Sequence, residues 1–386
     1  MDTTPFVATA SSNPARRAYR RAPSPSLLAA SDVDSVAVRW RADDGAFRAL
    51  RERLRAVGVF APCPGYYARK LAEVALLWIV GVAVLLAARG SRWVALDGVI
   101  LAIASAQTVL LGHDAVHRAA FARGGKLGRV AQHLLMGLLA GASASWWRRS
   151  HNTHHLLSND PARDPDIDYP FLAFDIAQAR QKSAWAQAFL RRQHWLVWLL
   201  MPGVSVTLRF YSVCWLVRRV LRGERTARHA SELAVMLLHW TLYVAVLATA
   251  LPPTVALALA ALHQVLFGTY LALITSSNHW GMPMPDAETL TFLEHQVQTS
   301  RNIRGGALVR FLFGGLDAQI EHHLFTALAR PRLRDARPIV RAFCEEHGIA
   351  YVERAPLEAM KDVYASLRAV ARKLSPRCAH AAEDHA

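Results

Sequence analysis

Residues 71–117 read LAEVALLWIVGVAVLLAARGSRWVALDGVILAIASAQTVLLGHDAVH. Two apolar runs, near 71–88 and 93–112, are separated only by Arg89-Gly90-Ser91-Arg92. Each is close to the roughly 20 residues that a helix needs to cross the hydrocarbon layer. The pair predicts a transmembrane helical hairpin. Polar sequence resumes at once with His113 and His117, which share a helix face at i and i+4. Bare ionisable groups are costly at mid-membrane, so this His pair is expected at the membrane surface.

A second hairpin is predicted near 233–250 and 254–275, joined by Leu251-Pro252-Pro253. His239 and His263 fall inside it and are expected to pack or hydrogen-bond rather than bind metal. Residues 129–146 are marginal as a span, and whether they cross or lie flat stays open. Residues 195–217 are interrupted by Pro202-Gly203 and Arg209 and read as re-entrant or surface-lying helices. Ahead of the first span, Phe47, Leu50, Leu54 and Val57 recur at helical steps, predicting an amphipathic helix over 43–59. Further helices are expected at 331–346 and 357–373. The fold class is thus an all-α integral membrane protein: two transmembrane hairpins, about four spans, with interfacial helices and a cytoplasmic helical cap. Along the chain this gives a disordered basic segment at 1–40, a membrane domain at 41–355, and a C-terminal helix and tail at 356–386.

Composition supports that class. Of 386 residues, 53% are hydrophobic and 19% charged, yet the net charge is +16. Apolar runs with basic connectors are the pattern of a membrane protein with a large cytoplasmic face. The arginines are dispersed among Trp and Leu without a nucleic-acid motif, so no nucleic-acid partner is expected. Arg69 and Lys70, Arg118 and Arg123, and Arg222, Arg225 and Arg228 flank the spans on the His side, against Arg89 and Arg92 on the other. The positive-inside rule then places the His motifs and both termini in the cytoplasm. Cys63, Cys214, Cys344 and Cys378 lie far apart without a Cys-x-x-Cys pair and are expected to be free thiols.

Two more His motifs follow: His151-Asn-Thr-His154-His155, and Gln319-Ile-Glu-His322-His323. His279 comes directly after the fourth span. Both hairpins deliver their polar continuations to one face, so His113, His117, His151, His154, His155, His279, His322 and His323 are expected to converge. Eight imidazoles exceed the four ligands of a zinc site and suit two transition metals. Asp114, Asp164, Asp166, Asp317 and Glu321 are candidates to accept the second ring N–H and fix ring orientation. Asn278 and Gln319 are further candidates for that supporting layer.

These three His motifs, in this order and spacing, resemble the histidine boxes of the membrane fatty acid desaturase family. The resemblance covers about residues 60–350. Asn278-His-Trp-Gly-Met-Pro and Gln298-Thr-Ser-Arg-Asn302 resemble its bacterial acyl desaturase branch, and Gln319 at the head of the third box resembles the front-end and acyl-lipid type. The family implies two iron ions bound by the eight His. It also implies O₂ as co-substrate and removal of two hydrogens from an acyl chain, carried on CoA, a carrier protein or a lipid, to leave a cis double bond. The segments around 146 and 195–217 are candidates for an acyl tunnel. Two departures, Thr326 after the third box and Asp317-Ala318 before it, bear on substrate entry. The 386 residues contain no His-Pro-Gly-Gly haem motif. A separate electron carrier, a ferredoxin with its reductase, is therefore expected, as is a bacterial inner membrane location. The same boxes also fit a hydroxylase, ketolase or acetylenase acting on a lipid or terpenoid chain. A metal transporter fits less well, since only Glu73, Asp97, His239 and His263 are ionisable within the spans.

Overall fold

The structure, a computed structural model, describes residues 45–87, 93–120, 125–286 and 289–374. The expected basic lead at 1–40, the Arg89/Arg92 turn, Arg123, Cys378 and the tail beyond 374 lie outside the described residues.

The described residues are mostly helical. An amphipathic helix α1 (Gly45–Ala56) precedes α2 (Pro64–Ala87) and α3 (Val94–Val116). Next come α4 (Lys126–Gln132), which runs into a π-helical segment His133–Leu139, and α5 (Ala144–Leu157). Three short helices, α6 (Ile176–Arg180), α7 (Ala184–Leu190) and α8 (Gln193–Leu200), lead through a 3₁₀ turn at Met201–Gly203 into α9 (Val204–Leu221). The second hairpin is α10 (Thr226–Ala250) and α11 (Pro253–His279). The cap follows with α12 (Phe292–Gln298), α13 (Ala307–Phe313), α14 (Gln319–Leu324), α15 (Arg330–Glu346) and α16 (Pro356–Lys373). Two short strands, β1 (Asn302–Ile303) and β2 (Glu353–Arg354), pair in parallel, Asn302 with Glu353 and Ile303 with Arg354.

Among the described residues, five helices are long and apolar enough to cross a membrane: α2, α3, α10, α11 and the joined pair α8–α9. The first four correspond to the expected spans but run past them. Hydropathy marks only the lipid-soluble middle, whereas the backbone ladder continues into the polar layer. That continuation puts His113 on α3 and His279 on α11, each on the same rigid rod as a span. The fifth differs from the expectation. The Pro202-Gly203 break becomes one 3₁₀ turn, and the helix resumes over a combined 29 residues.

α3 is the central rod. Of its most apolar window 72% is buried inside the protein, against 17% for α2. Glycines allow the close contacts: a Cβ at Gly81 would stand 2.8 Å from Leu101, and one at Gly98 would stand 2.8 Å from Leu262. The outer faces of the other helices carry exposed Leu76, Ile79, Val244 and Leu257, an apolar surface that water does not favour and lipid does. The chain is an integral membrane protein.

The cap is held by an ordinary core. Leu50 and Leu54 of α1 pack with Leu324, Phe325, Val340 and Phe343. The Phe47 ring stacks on Phe325 with centroids 5.3 Å apart. α1 thus braces the C-terminal end of the third box. Both span histidines hydrogen-bond: His239 Nδ1 lies 2.7 Å from the Leu138 carbonyl, and His263 bridges Ser105 and Tyr243 at 2.9 Å each.

Candidate metal centre

Three helices and one helix end present the histidines. α5 is launched by Ser143, whose hydroxyl accepts the Trp146 N–H at 3.1 Å. Glu232 of α10 in turn accepts from the Ser143 hydroxyl (2.7 Å) and the Ser145 N–H (3.0 Å), fixing where the second box begins. The third box sits on α14, only six residues long, so its position depends on neighbours. Asn302 of β1 accepts the Ile320 N–H at 2.9 Å and donates to Glu321 at 2.8 Å. The Tyr351 hydroxyl donates to the other Glu321 oxygen at 2.6 Å.

All eight sequence-selected histidines converge, in two adjoining groups. His113, His117, His151, His155 and His322 each offer a ring nitrogen, and these nitrogens lie within 4.8 Å of one another. His154, His279 and His323 form the second group on the same criterion. The groups touch where the His155 and His323 rings approach to 4.2 Å between centroids. Several inward nitrogens face one another directly: His155 Nε2 is 3.0 Å from His151 Nε2 and 3.2 Å from His322 Nε2, and His154 Nε2 is 3.4 Å from His279 Nε2. Among the described residues, His113 Nε2, His117 Nε2 and His323 Nε2 are buried with no hydrogen-bonding partner. A buried polar atom ordinarily has one. Converging imidazole nitrogens without partners are the donor set of a metal site, so the residues fit such a group.

Four of the outward nitrogens are occupied, which sets those tautomers. His154 Nδ1–H donates to Asp164 at 3.0 and 3.1 Å, and His113 Nδ1–H to Asp114 at 3.2 Å. His279 Nδ1–H donates to the Thr299 carbonyl at 3.0 Å, with the Ser158 hydroxyl also at 3.1 Å. His323 Nδ1–H donates to Gln296 at 2.9 Å. The Gln319 amide, tied to Asn278 at 2.9 Å, reaches His279 Nε2 at 2.9 Å. The His151 ring stacks on Trp147, centroids 4.1 Å apart.

Asp114 and Asp164 therefore stand behind the imidazoles, whereas Gln319, held by Asn278, reaches His279 at its inward Nε2 rather than from behind. Asp166 is more distant, 3.6 Å from His154 with its side chain 42% exposed. Asp317 faces Arg337 at 3.8 Å, and Glu321 serves Asn302 and Tyr351 as above, so each supports the third box from outside the ring of imidazoles. Gln296, Thr299 and Ser158 were not singled out from sequence. The signal at hand was the Gln298-Thr-Ser-Arg-Asn302 stretch, where Thr299 lends a backbone carbonyl that no side-chain pattern reveals.

Charge follows burial. Burial first, and the like-charged neighbours second, hold His117, His151, His155, His322 and His323 well below the ordinary imidazole value of 6.5. They are neutral lone-pair donors at physiological pH. For His154 burial pulls the same way, but Asp164 and Asp166 overcome it and raise the ring to about 9.

A cavity opens beside this cluster. His113, His151, His154 and His279 form one end, and Trp146, Leu208, Tyr211 and Leu271 line its apolar flank. The segments expected to supply a tunnel, around 146 and 195–217, do line it.

The fatty acid desaturase family model matches residues 90–355, which contain every histidine of the cluster. The chain belongs to the fatty acid desaturase family. Among curated proteins it is 28% identical over 333 residues to the acyl-lipid 8-desaturase of Rebecca salina, covering 84% of this chain and 74% of that one. It is likewise 28% identical over 336 residues to fatty acid desaturase 3 of Bos taurus (83% and 72% covered). A Delta 8-(E)-sphingolipid desaturase of Kluyveromyces lactis is 27% identical over 335 residues, which span 81% of this chain but 56% of that relative. As a member of this family, the desaturase is an oxygen-dependent oxidoreductase with a lipid substrate.

Proposed function

We propose that this desaturase introduces a cis double bond into a long acyl chain, at a centre of two iron ions held by His113, His117, His151, His154, His155, His279, His322 and His323. The observation that supports the proposal is the meeting of two groups of inward-facing imidazole nitrogens with a largely apolar cavity. When bound, the irons supply the activation of O₂ that saturated C–H bonds require. The protein does the rest. Asp164, Asp114, Gln296 and the Thr299 carbonyl keep ring protons on Nδ1, so that each Nε2 lone pair points inward. Trp146, Leu208 and Leu271 bind the methylene chain and exclude water from the cluster. Gln319 stands between the two, on the His279 side, where a chain bound in the cavity would pass.

Two electrons per double bond are required, and we assign them to a separate acidic carrier such as a ferredoxin with its reductase. The cluster faces the cytoplasm in this reading, because Arg69, Lys70, Arg222, Arg225 and Arg228 lie on its side of the spans. The relatives' names favour an acyl group borne on a lipid.

The test is the lipid profile of a host expressing the chain with a ferredoxin and its reductase, beside a His322→Ala control. A new cis-unsaturated acyl species absent from the control, with two irons per purified chain, is the expected result. A hydroxylated or keto product would replace desaturation with oxygen insertion, and a protein purified with another metal would remove the iron assignment.

A further inference from the structure

A cationic hollow on the flank of the cap shares no lining residue with the acyl cavity. α2 contributes Arg69 and Lys70, α13 contributes Arg310 and Phe311, and α15 contributes Arg330 and Arg334. Asp317 also lines the hollow, and the acids in and around it are paired, Glu73 with two of the hollow's own cations. Glu73 pairs with Lys70 (2.5 Å) and Arg69 (3.4 Å), Asp317 with Arg337 (3.8 Å), and Asp335 with Arg332 (3.0 Å). Arg310 and Arg334 are exposed, and Leu308, on the same helix as Arg310, is 69% exposed.

The back wall of the hollow distinguishes it from general surface charge. Arg330 is 4% exposed, and its guanidinium is ion-paired with Asp114. The other Asp114 oxygen accepts from His113 Nδ1 at 3.2 Å. Two polar contacts thus connect the hollow to the five-histidine group. A buried ion pair is a weak source of stability compared with an apolar pair of the same volume. Its placement on this line calls for a role in communication between surface and centre.

We propose that this hollow is the docking surface of an acidic one-electron carrier protein, and that Arg330, Asp114 and His113 form the shortest polar route from the docked carrier to the metal centre. The proposal rests on the desaturase reading above and names the face its reductant uses. Each docking oxidises one carrier by one electron and reduces the centre by one. Two dockings per turnover close the balance: O₂, two electrons, two protons and the two hydrogens leaving the chain give two waters and one double bond. Short-lived redox encounters use small interfaces with a charged rim and little apolar area, as Phe311 among the cations of the hollow provides. A phosphate-bearing head of the acyl substrate is less well served. Among the described residues, none lines both the hollow and the acyl cavity, so a head bound here has no shared wall along which its chain would enter that cavity.

The test uses the full-length, metal-loaded protein in detergent and an acidic [2Fe–2S] ferredoxin. Arg310→Glu/Arg334→Glu is compared with Arg191→Glu/Arg368→Glu, which makes the same charge change at exposed arginines of the α7–α8 and α16 side. Ferredoxin binding is measured by titration at low and high salt, and a single turnover is driven separately by dithionite. The expected result is at least a tenfold loss of ferredoxin affinity in the first variant, with most of its salt dependence gone and its metal content unchanged. The second variant should bind as the parent does, and dithionite should yield equal product in all three. Equal ferredoxin affinity in both variants, or no binding to the parent, would overturn the proposal. So would retained ferredoxin binding with lost affinity for anionic phospholipid vesicles, which would make the hollow a headgroup site. Failure of dithionite to give any unsaturated product in the parent would strike the desaturase reading instead, while the binding titration would still judge the docking face.

Discussion

At His154 one ring does two jobs, and geometry separates them. Nδ1–H is held by Asp164, which is fully buried, while Nε2 looks toward His279. Removing the acceptor's charge should loosen the ring without touching the fold. For Asp164→Asn we expect a 10–100-fold fall in metal affinity, the usual consequence of losing a carboxylate behind a ligand histidine, read by chelator competition with circular dichroism unchanged. The same residues set the acid response. His117, His151, His155, His322 and His323 are held below 6.5, so the unfolded chain binds more protons than the folded one once pH drops through that value. Their contribution to stability is present above about 6.5 and lost as pH falls. His154 has the opposite sign: raised to about 9, it stabilises below 6.5 and loses that contribution as pH rises through 9. With five rings against one, acid should dominate. Both metal retention and the melting temperature of the metal-free protein should fall between pH 7.5 and 5, and a rise in either over that interval would contradict the assignment. At this scale the sequence carried the histidines almost completely, because helical spacing alone places i, i+3 and i+4 on one face. It carried their partners unevenly. Asp114 sits next to its histidine in the chain, but Gln296 and the Thr299 carbonyl reach His323 and His279 only through tertiary folding.

Between α8 and α9 the chain breaks and resumes, and one glycine on another helix allows it. A Cβ at Gly268 of α11 would stand 2.0 Å from the Pro202 carbonyl oxygen. That atom is backbone and has no rotamer by which to retreat. Gly268→Ala should therefore cost about 1–3 kcal/mol, an overpacking penalty, visible as a lower melting temperature in detergent. Unaltered melting would mean that the 3₁₀ turn shifts freely. This contact also explains why 195–217 read as re-entrant. Pro202-Gly203 is a legible interruption, but the resumption of the helix depends on a groove supplied some 60 residues later. The four other spans, and the helices at 330–346 and 356–373, were legible because each satisfies its own periodicity or length without help. The π-helical segment at 133–139 was not, since it depends on contacts such as His239 to the Leu138 carbonyl.

At the scale of the molecule, three surfaces are kept apart around one cluster: a lipid-facing apolar belt, an acyl cavity and a cationic flank. The separation lets substrate and reductant approach the same atoms from different sides. It also makes the cavity testable on its own. Leu208 of α9 lines it with Trp146 and Tyr211, and packs against the two buried clusters that contain Ala140 and Met136. None of these is a cluster histidine. Leu208→Trp adds a ring's volume to the cavity wall while leaving every imidazole and its outward partner in place. A long chain must then displace the indole or stop short of the cluster, whereas a shorter chain needs less of the cavity's length. The expected outcome is unchanged metal content, at least a tenfold drop in turnover of the longest saturated chains accepted by the parent, and a product profile moved toward shorter ones. A gas-chromatographic comparison of products from one mixed-length acyl pool measures all of this in a single experiment. An unchanged length profile would place the substrate elsewhere. A uniform loss across all lengths, with metal released, would mean that the cavity wall supports the cluster rather than the chain.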